Sequence, residues 1–213
     1  MKKITLTFDN GPDPEVTPFV LDVLARHGIK TTFFVIGDKL REPRRRALAE
    51  RAHREGHWIG NHTFNHITPL GLSRYKDTPD LEIGETQALI GDLAHPSKLF
   101  RPFGGGGHLT RALLNAASLN YLTREKFTCV LWNAVPRDWE DPDGWVEVAL
   151  AQCAALDWPL MVLHDFNTRG TRHLDRFIAQ MIGDGYTFVQ EYPADCMPVV
   201  KGEIVRPIGD YVG

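Results

Sequence analysis

The stretch ITLTFDNGPDP, residues 4–14, joins an alternating apolar run to a compact polar turn and shows how the chain begins to fold. Apolar and β-branched side chains alternate from Ile4 to Phe8, which predicts a β-strand. Asp9 and Asn10 follow the strand directly, and the glycine and prolines of residues 11–14 then turn the chain. A carboxylate and a carboxamide at the end of a strand are typical of the functional edge of a parallel α/β fold.

Short apolar strands alternate with helical patterns along the rest of the chain. The expected strands are 4–8, 31–36, 57–60, 99–101, 128–132, 160–163 and 186–189, and the expected helices are 15–27, 38–55, 81–93, 109–119, 144–156 and 172–182. About seven strand–helix units in this order predict an α/β protein with a mostly parallel sheet. A distorted, TIM-like (β/α) barrel with about seven parallel strands fits this pattern, and so does an open doubly wound sheet.

The length and composition indicate one domain over residues 1–213, with no repeat or linker. Residues 198–213 form a tail that we expect to pack on the barrel or on a partner. The net charge of −3, with both signs scattered, provides no electrostatic basis for binding nucleic acid or a membrane. The sequence does not indicate an oligomeric state.

The three cysteines bear on the compartment in which the protein works. Cys129, Cys153 and Cys196 lie far apart and without CxxC spacing, which favours free, mostly buried thiols in a reducing compartment. The chain shows no apolar leader after Met1 and no apolar run of about 18 residues. We therefore expect a cytoplasmic protein.

Several polar residues fall just after predicted strands, where the functional edge of a parallel fold lies. These residues are Asp9, Asn10, His62, Arg101, Asp138 and His164. Because the carboxyl ends of parallel strands meet at one edge, we expect these side chains to lie close together. This clustering predicts an active site without reference to any motif.

His62 and His66 are the candidate metal ligands. Their i, i+4 spacing places both imidazoles on one face of a helical turn, an arrangement that suits a borderline metal such as Zn²⁺. Two unrelated surface histidines among the nine in the chain are the alternative. Asn10 can offer an amide oxygen to the same ion, but it brings no charge.

Asp9 and His164 are the candidates for acid–base chemistry. Asp9 can act as a general base towards water, and His164, after the buried strand 160–163, can donate a proton to a leaving amine. A turn aspartate and a satisfied core histidine are the structural alternatives. Arg101 and Asp138, the latter followed by Trp139, are expected to form a charge pair that steers the base and the acid.

The run RPFGGGG, residues 101–107, places several glycines after a predicted strand. It lacks the spacing of a phosphate-binding loop, which needs GxGxxG or a Gly-Lys-Ser/Thr ending. Small residues let backbone N–H groups approach a substrate carbonyl and stabilise an oxyanion. A flexible lid is the alternative interpretation of the same run.

The blocks TFDNGP, HTFNH, RPFG, RDW and LHD occur in this order over residues 6–165. Together they resemble the five blocks of the polysaccharide deacetylase (NodB-homology) family of carbohydrate esterases. The resemblance implies a distorted (β/α) barrel. It also implies metal-dependent hydrolysis of the acetamide of an N-acetylated sugar or a related small N-acyl compound.

The resemblance also implies a role for each matching residue. It makes Asp9 the catalytic base, oriented by Arg101, and His164 the general acid. It makes His62 and His66 the metal imidazoles, with Asn10 at the position of a third ligand. The backbone at Phe103 and Gly104 supplies an oxyanion donor, Asp138 is the acid of the fourth block, and Trp139 lines the pocket.

Three departures from the family pattern affect these expectations. Asn10 stands where the family usually has a second acid, the third block lacks one residue between Arg101 and the aromatic side chain, and Val135 replaces an acid three residues before Asp138. Losing a ligand charge weakens a metal site by about 10–100-fold or more. We expect a weak divalent site, with zinc as the ion, and altered tuning of Arg101 or His164.

Two other functions remain open from the sequence. Asn10 favours a metal-independent, allantoinase-like hydrolase that acts on amides or cyclic ureides. Asn10 and Val135 also favour a non-catalytic carbohydrate-binding relative. The presence of Asp9, both block histidines, Arg101 and His164 favours turnover.

Overall fold

The structure is a computed structural model, and it describes residues 2–166 and 169–213. In this part of the chain the strands are β1 (Lys2–Asp9), β2 (Thr32–Val35), β3 (Trp58–Asn61), β4 (Leu99–Phe100), β5 (Thr128–Cys129), β6 (Leu160–His164), β7 (Tyr186–Phe188), β8 (Val199–Val200) and β9 (Glu203–Ile204). The α-helices are α1 (Val16–Arg26), α2 (Pro43–Arg54), α3 (Glu85–Ile90), α4 (Ala116–Arg124), α5 (Trp145–Ala155) and α6 (Leu174–Gly183).

The sheet is mostly parallel, as the alternation of strands and helices predicts. Its hydrogen-bonded order is β6-β1-β2-β3-β4-β5-β8-β9, and β7 pairs with the first residues of β1. All neighbours from β6 to β5 are parallel, and only β8 and β9 run antiparallel. The fold is therefore the distorted (β/α) barrel, and the open doubly wound sheet is excluded.

The strand ladders do not close the barrel. The remaining side is spanned by one isolated parallel bridge between Ala134 and Met161. The tail, residues 198–213, packs on the barrel: β8 pairs with β5 at Val199 and Cys129, and Val212 bridges to Leu114. Within the described residues, no helix is long and apolar enough to span a membrane.

Three predicted helices differ from the structure. The 38–55 helix is divided into a 3-10 turn (Asp38–Arg41) and α2, because Pro43 favours the first position of a new helix. The 109–119 helix is wrong over its first half, because α4 begins only after Asn115, whose side chain caps the Ser118 N–H at 2.8 Å. The 81–93 helix is a π turn, α3 and a 3-10 turn.

The core lies on both sides of the sheet. β1 is buried from Ile4 to Asp9, because α1 and the neighbouring helices cover one face and barrel side chains fill the other. The free thiols of Cys129, Cys153 and Cys196 are buried, as expected, and burial raises the pKa of each to about 12. The carboxyl ends of β1, β3, β4 and β6 surround one opening of the barrel, which holds the candidate site.

Candidate active site

A cavity of about 230 Å³ opens at the carboxyl edge of the sheet. Its polar wall carries Asp9, Asn10, His62, His66 and His164, which the sequence predicts to meet there. Its apolar wall consists of Phe103, Trp132, Val135, Trp139, Val162 and Phe166. The predicted clustering at one edge of the sheet is therefore confirmed for Asp9, Asn10, His62 and His164, and His66 joins them.

Asp9 ends β1 and is bound by Arg101, which directly follows β4. Arg101 Nη1 lies 2.8 Å from Asp9 Oδ1, and both side chains are almost completely buried. Arg101 also donates to the carbonyls of Val130 and Leu131 and stacks on the Phe34 ring at 4.1 Å. Because backbone carbonyls and stacking hold the guanidinium, Arg101 can fix the orientation of Asp9 without moving itself.

Thr7 is a further partner of Arg101 that the sequence analysis missed. Arg101 Nη1 donates to Thr7 Oγ1 at 2.7 Å, and Thr7 in turn donates to the Met161 carbonyl at 2.9 Å. Thr7 and Asp9 point to the same side of β1, because residues i and i+2 of a strand share a face. That alternation, applied to the first block, is the signal that could have identified Thr7.

Asp138 binds His164 at the end of β6 with both carboxylate oxygens. Oδ1 lies 2.7 Å from His164 Nδ1, and Oδ2 accepts the His164 backbone N–H at 3.0 Å. Asp138 lies in the loop after β5, nine residues beyond the strand end at Cys129. The expected charge pair between Arg101 and Asp138 is wrong, because Arg101 binds Asp9 and Asp138 binds His164.

The surroundings of His164 favour its protonated form. Burial opposes the charge, but the carboxylate of Asp138, with smaller contributions from Asp9 and Asp165, raises the pKa of His164. The ring also packs edge-on against Trp139, with ring centroids 4.7 Å apart. With Nδ1 held by Asp138, Nε2 is the nitrogen left for the cavity.

His62 and His66 lie side by side, with ring centroids 4.8 Å apart. The helical turn expected for residues 62–66 is wrong: the segment is irregular, and Thr63 and His66 adopt left-handed backbone conformations, with φ values of 67° and 54°. The loop is held from outside, because Glu82 accepts the backbone N–H groups of Phe64 and Asn65. The imidazoles therefore meet because of these tertiary contacts.

Both imidazoles of this pair are neutral. Burial lowers the pKa of His62 in spite of the nearby Asp9 carboxylate, and burial together with the neighbouring histidines lowers the pKa of His66 to about 2. His62 Nδ1 lies 2.8 Å from the Arg101 carbonyl, and its Nε2 lies 3.5 Å from Asp9 Oδ2. Because the Arg101 carbonyl accepts a hydrogen bond from His62 Nδ1–H, it fixes this tautomer of His62, and the lone pair of Nε2 faces Asp9.

Asn10 brings an unpartnered oxygen to the cavity. Its Oδ1 is buried and has no hydrogen-bond partner among the described residues. A buried acceptor without a partner costs free energy, so its presence points to a ligand. Two neutral imidazoles with an amide oxygen fit a divalent cation of borderline character.

The donor set is weaker than a usual metal centre. Within residues 2–166 and 169–213, no group of three His, Cys, Asp or Glu side chains is arranged to hold a metal ion. The third donor is the amide oxygen of Asn10, which is neutral and is not one of these four types of side chain. The expectation of a weak site stays a prediction.

The glycine run is ordered against the apolar wall and does not form a free lid. A Cβ on Gly104 would approach the Trp132 ring to 2.6 Å, and Trp132 Nε1 donates to the Gly107 carbonyl at 2.9 Å. Phe103 packs on His66, with ring centroids 3.8 Å apart. The backbone N–H groups of Phe103 and Gly104 donate to no described residue, so both remain available to an oxyanion.

Val135, which stands where the family has an acid, lines the cavity. The effect of this substitution on the tuning of Arg101 or His164 stays a prediction. Arg101 has acceptors at Thr7, Asp9 and two backbone carbonyls, and His164 has Asp138.

The fold and the site together define a class of protein: a distorted α/β barrel that presents an acid–base pair and two imidazoles at its carboxyl edge. Within that class, the chain belongs to the polysaccharide deacetylase family, whose family model matches residues 1–123. The matched part contains Asp9, Asn10, both histidines and Arg101, and it ends before Asp138 and His164.

Known relatives cover most of the chain. A peptidoglycan-N-acetylglucosamine deacetylase of Bacillus cereus is 33 % identical over 193 residues, which are 88 % of this chain and 85 % of the relative. The peptidoglycan-N-acetylglucosamine deacetylase PgdA of Listeria monocytogenes is 28 % identical over 190 residues. Those residues are 88 % of this chain but only 38 % of PgdA, so the chain spans about two fifths of that relative.

Solved structures of the family superpose well. A peptidoglycan N-acetylglucosamine deacetylase, solved in complex with 4-naphthalen-1-yl-N-oxidanyl-benzamide, has a TM-score of 0.76 and 28 % identity, and the match covers 93 % of this chain and 89 % of that one. A family 4 acetyl xylan esterase from Clostridium thermocellum, in complex with a cobalt ion, has a TM-score of 0.71 and 28 % identity. That match covers 89 % of this chain and 88 % of the esterase.

Proposed function

We propose that the protein hydrolyses the acetamide of an N-acetylated sugar with the assistance of a divalent metal ion. One observation carries this proposal: a single cavity is faced by a carboxylate that Arg101 holds and an imidazole that Asp138 holds. A base and an acid with separate partners are what the two proton transfers of amide hydrolysis require. The deacetylase relatives support the choice of an N-acetylated sugar.

His62 Nε2, His66 and Asn10 Oδ1 would hold the ion, and zinc is the ion that we propose because the set contains two imidazoles. Such an ion lowers the pKa of a bound water and polarises the acyl carbonyl. Asn10 makes the site neutral, so we expect a higher dissociation constant than an aspartate at this position would give.

Asp9 accepts the proton of the attacking water. Arg101 holds one carboxylate oxygen, Oδ1, and leaves Oδ2 on the side of His62. The position of the base is thereby fixed before the substrate enters, and this orientation lowers the barrier of the reaction. The N–H groups of Phe103 and Gly104, two residues that line the cavity, would stabilise the oxygen of the tetrahedral intermediate.

His164 donates a proton to the departing nitrogen, which leaves poorly as an anion. Although burial opposes the charge, the Asp138 carboxylate raises the pKa of His164; it also fixes Nδ1, so that Nε2–H is the donor. Trp139 and Phe166 pack edge-on against the ring and keep it in this orientation. The apolar wall of the cavity excludes water around this proton transfer.

We also propose a cytoplasmic location, without a nucleic-acid or membrane partner. The three buried free thiols support a reducing compartment. In the cytoplasm, the substrate would be a small N-acetylated sugar, a lipid-linked precursor or an oligosaccharide.

A screen of N-acetylated sugars and simple acetamides, with and without EDTA, tests the proposal. We expect acetate release from an N-acetylated sugar, loss of that activity in EDTA, and its recovery with added Zn²⁺. Asp9→Asn and His164→Ala should each abolish turnover without unfolding the protein. Sugar binding without hydrolysis under all conditions would favour a non-catalytic relative.

A metal-independent amide or ureide hydrolase is the second candidate, and one observation favours it. The three donors at the cavity carry no negative charge, since position 10 is an asparagine. Hydrolysis of cyclic ureides that survives EDTA, without activity on N-acetylated sugars, would select this function.

A further inference from the structure

Two charged residues next to the site, the half-buried Lys39 and the buried Asp165, have no part in the proposed chemistry. Lys39 lies in the 3-10 turn Asp38–Arg41 that follows β2, and Asp165 directly follows His164. Burying charged groups is costly unless they are paired or hydrogen-bonded, so both residues require an explanation. Both contact the short segment that carries Asn10.

Lys39 binds the backbone of Asn10. Its Nζ donates to the Asn10 carbonyl at 2.5 Å. Asn10 has a left-handed backbone, with φ of 74°, which costs free energy for any residue other than glycine even though asparagine tolerates it better than most. A charged donor on the carbonyl of this residue stabilises the peptide orientation that the left-handed backbone creates.

Among the described residues, the Asn10 side chain has no hydrogen-bond partner, at Oδ1 or at the amide nitrogen. The Cα–Cβ bond from which the amide extends is set by the Asn10 backbone, which Lys39 holds. A lysine that fixes the carbonyl therefore narrows the positions that Oδ1 can reach.

Asp165 supports the same segment from the opposite side. Its Oδ2 accepts the Thr17 hydroxyl at 2.6 Å, and its carboxylate lies so close to Gly11 that a Cβ there would overlap it. The carboxylate also attracts the Lys39 ammonium, which lies 5.9 Å from the centroid of the Phe166 ring. Lys39 therefore holds the Asn10 carbonyl, while the Asp165 carboxylate packs against Gly11.

Arg45 makes a comparable contact two residues further along the loop and serves as a comparison. Its Nη1 donates to the Pro12 carbonyl at 2.6 Å, and its other contacts are Glu42 at 2.6 Å and Asp13 at 3.7 Å. Arg45 thus anchors the loop without contacting Asn10. A comparison of variants at Lys39 and Arg45 therefore distinguishes an effect on the Asn10 amide from an effect on the stability of the whole loop.

We infer that Lys39 is a positioning residue for Asn10: by binding the Asn10 carbonyl, it directs Oδ1 towards His62 and His66. This inference rests on the proposed function, in which Asn10 is a metal ligand. Lys39 contacts Asn10 only through the backbone carbonyl, so its effect on the ion is to order a ligand.

The first test compares Lys39→Met with Arg45→Met in the full chain after dialysis against EDTA. NMR heteronuclear NOE values of the Asn10 side-chain amide report its order without metal or substrate. We expect an ordered amide in the wild-type protein and in Arg45→Met, and a mobile amide in Lys39→Met. Equal NOE values for the Asn10 amide in both variants would overturn the inference, whether or not the protein binds a metal ion.

The second test measures Co²⁺ binding by titration calorimetry on the same three proteins. We expect Lys39→Met to weaken Co²⁺ binding by about 10-fold, as loss of an outer partner of a ligand commonly does, and Arg45→Met to change it less than threefold. Unchanged or tighter binding in Lys39→Met would overturn the inference. If the wild-type protein binds no Co²⁺, the proposed metal site is wrong, and the NMR comparison alone decides the role of Lys39.

Lys39→Gln replaces Lys39→Met if the latter does not fold. It removes the charge and shortens the side chain, and it is judged by the same amide order and Co²⁺ affinity.

Discussion

Asp138 forms two hydrogen bonds with His164, one with the ring and one with the backbone. Oδ1 lies 2.7 Å from Nδ1, and Oδ2 accepts the backbone N–H at 3.0 Å. The carboxylate therefore fixes the tautomer, the orientation and the charge of the imidazole at once. The pH dependence of the reaction should follow from this contact.

Asp138→Asn should move the alkaline limb of the pH–kcat profile to lower pH. The pKa of His164 is raised in the folded protein, so the acid form persists above about pH 6.5 and is lost as the pH rises through the folded pKa. Without the Asp138 charge, burial dominates and lowers that pKa. Glu140→Gln, which removes an exposed charge 2.6 Å from Arg137, is the control and should leave the limb in place. If the alkaline limb of the pH–kcat profile does not move in Asp138→Asn, His164 is not the acid.

Asn10→Asp should tighten divalent metal binding by at least about 10-fold, or about 1.4 kcal/mol. The change adds an anion at the unpartnered Oδ1 without altering side-chain size. Titration with Zn²⁺ measures the effect. Asn120→Asp, on the exposed face of α4, adds the same charge away from the site and should not change affinity. Equal affinities of Asn10→Asp and the wild-type protein would exclude position 10 as a ligand.

Thr7→Val should lower both stability and kcat. It removes the acceptor of an Arg101 N–H and the donor to the Met161 carbonyl, and unsatisfied buried groups cost about 1–3 kcal/mol each. Thr5→Val is the matched control, because Thr5 lies on the same face of β1 but binds the Glu191 carbonyl and Trp158. Urea denaturation and steady-state kinetics should show a similar loss of stability in both variants and a loss of kcat in Thr7→Val alone. A normal kcat in Thr7→Val would remove Thr7 from the support of Arg101.

Gly104→Ala should disturb the apolar wall, and Gly105→Ala should not. A Cβ on Gly104 would lie 2.6 Å from the Trp132 ring, whereas a Cβ on Gly105 would meet no heavy atom within 4 Å. We expect Gly104→Ala to shift tryptophan fluorescence and to raise KM or lower kcat, while Gly105→Ala behaves as the wild-type protein. Identical behaviour of the two variants would mean that the glycine run does not shape the cavity.

Asp165→Asn should change how stability depends on pH. Burial raises the pKa of Asp165 to about 7, against an unfolded value of about 3.9. Between these values the folded state holds one more proton than the unfolded state. The free energy of unfolding therefore falls as pH rises, by up to about 1.4 kcal/mol per pH unit.

Asp165→Asn removes this dependence. As pH rises from 4 to 7, the free energy of unfolding of the wild-type protein should fall relative to that of the variant. Urea unfolding at several pH values measures it. Asp157→Asn, at an exposed position, is the control and should follow the wild-type curve. A curve for Asp165→Asn parallel to that of the wild-type protein would contradict the raised pKa.

Most of the fold could be predicted from local patterns. The alternation in Ile4–Phe8 marks β1, and the helical periodicity of 15–27 marks α1, because both patterns report burial within a few neighbouring residues. Local patterns failed at α4, where Leu109, Leu113 and Leu114 have helical spacing but lie in a loop that packs against the tail. The tertiary contacts of Leu114 outweigh its helical propensity.

The identity of the site residues could also be predicted, but not their partners. The positions of Asp9 and His164 after strands place them at one edge, since parallel strands share a direction. Arg101 and Asp9 are 92 residues apart, and nothing local distinguishes that pair from the expected Arg101–Asp138 pair. Similarly, His62 and His66 meet through an irregular loop that their helical spacing does not predict.

The sequence by itself determined the parallel α/β architecture and the set of polar residues at its carboxyl edge, because strand periodicity and the order of the blocks are properties of neighbouring residues. Only the tertiary structure decided which carboxylate binds which cation, that Thr7 supports Arg101, and that Lys39 holds the carbonyl of Asn10. These contacts join residues that are distant in the chain, and their energies depend on burial, which arises only when the barrel assembles.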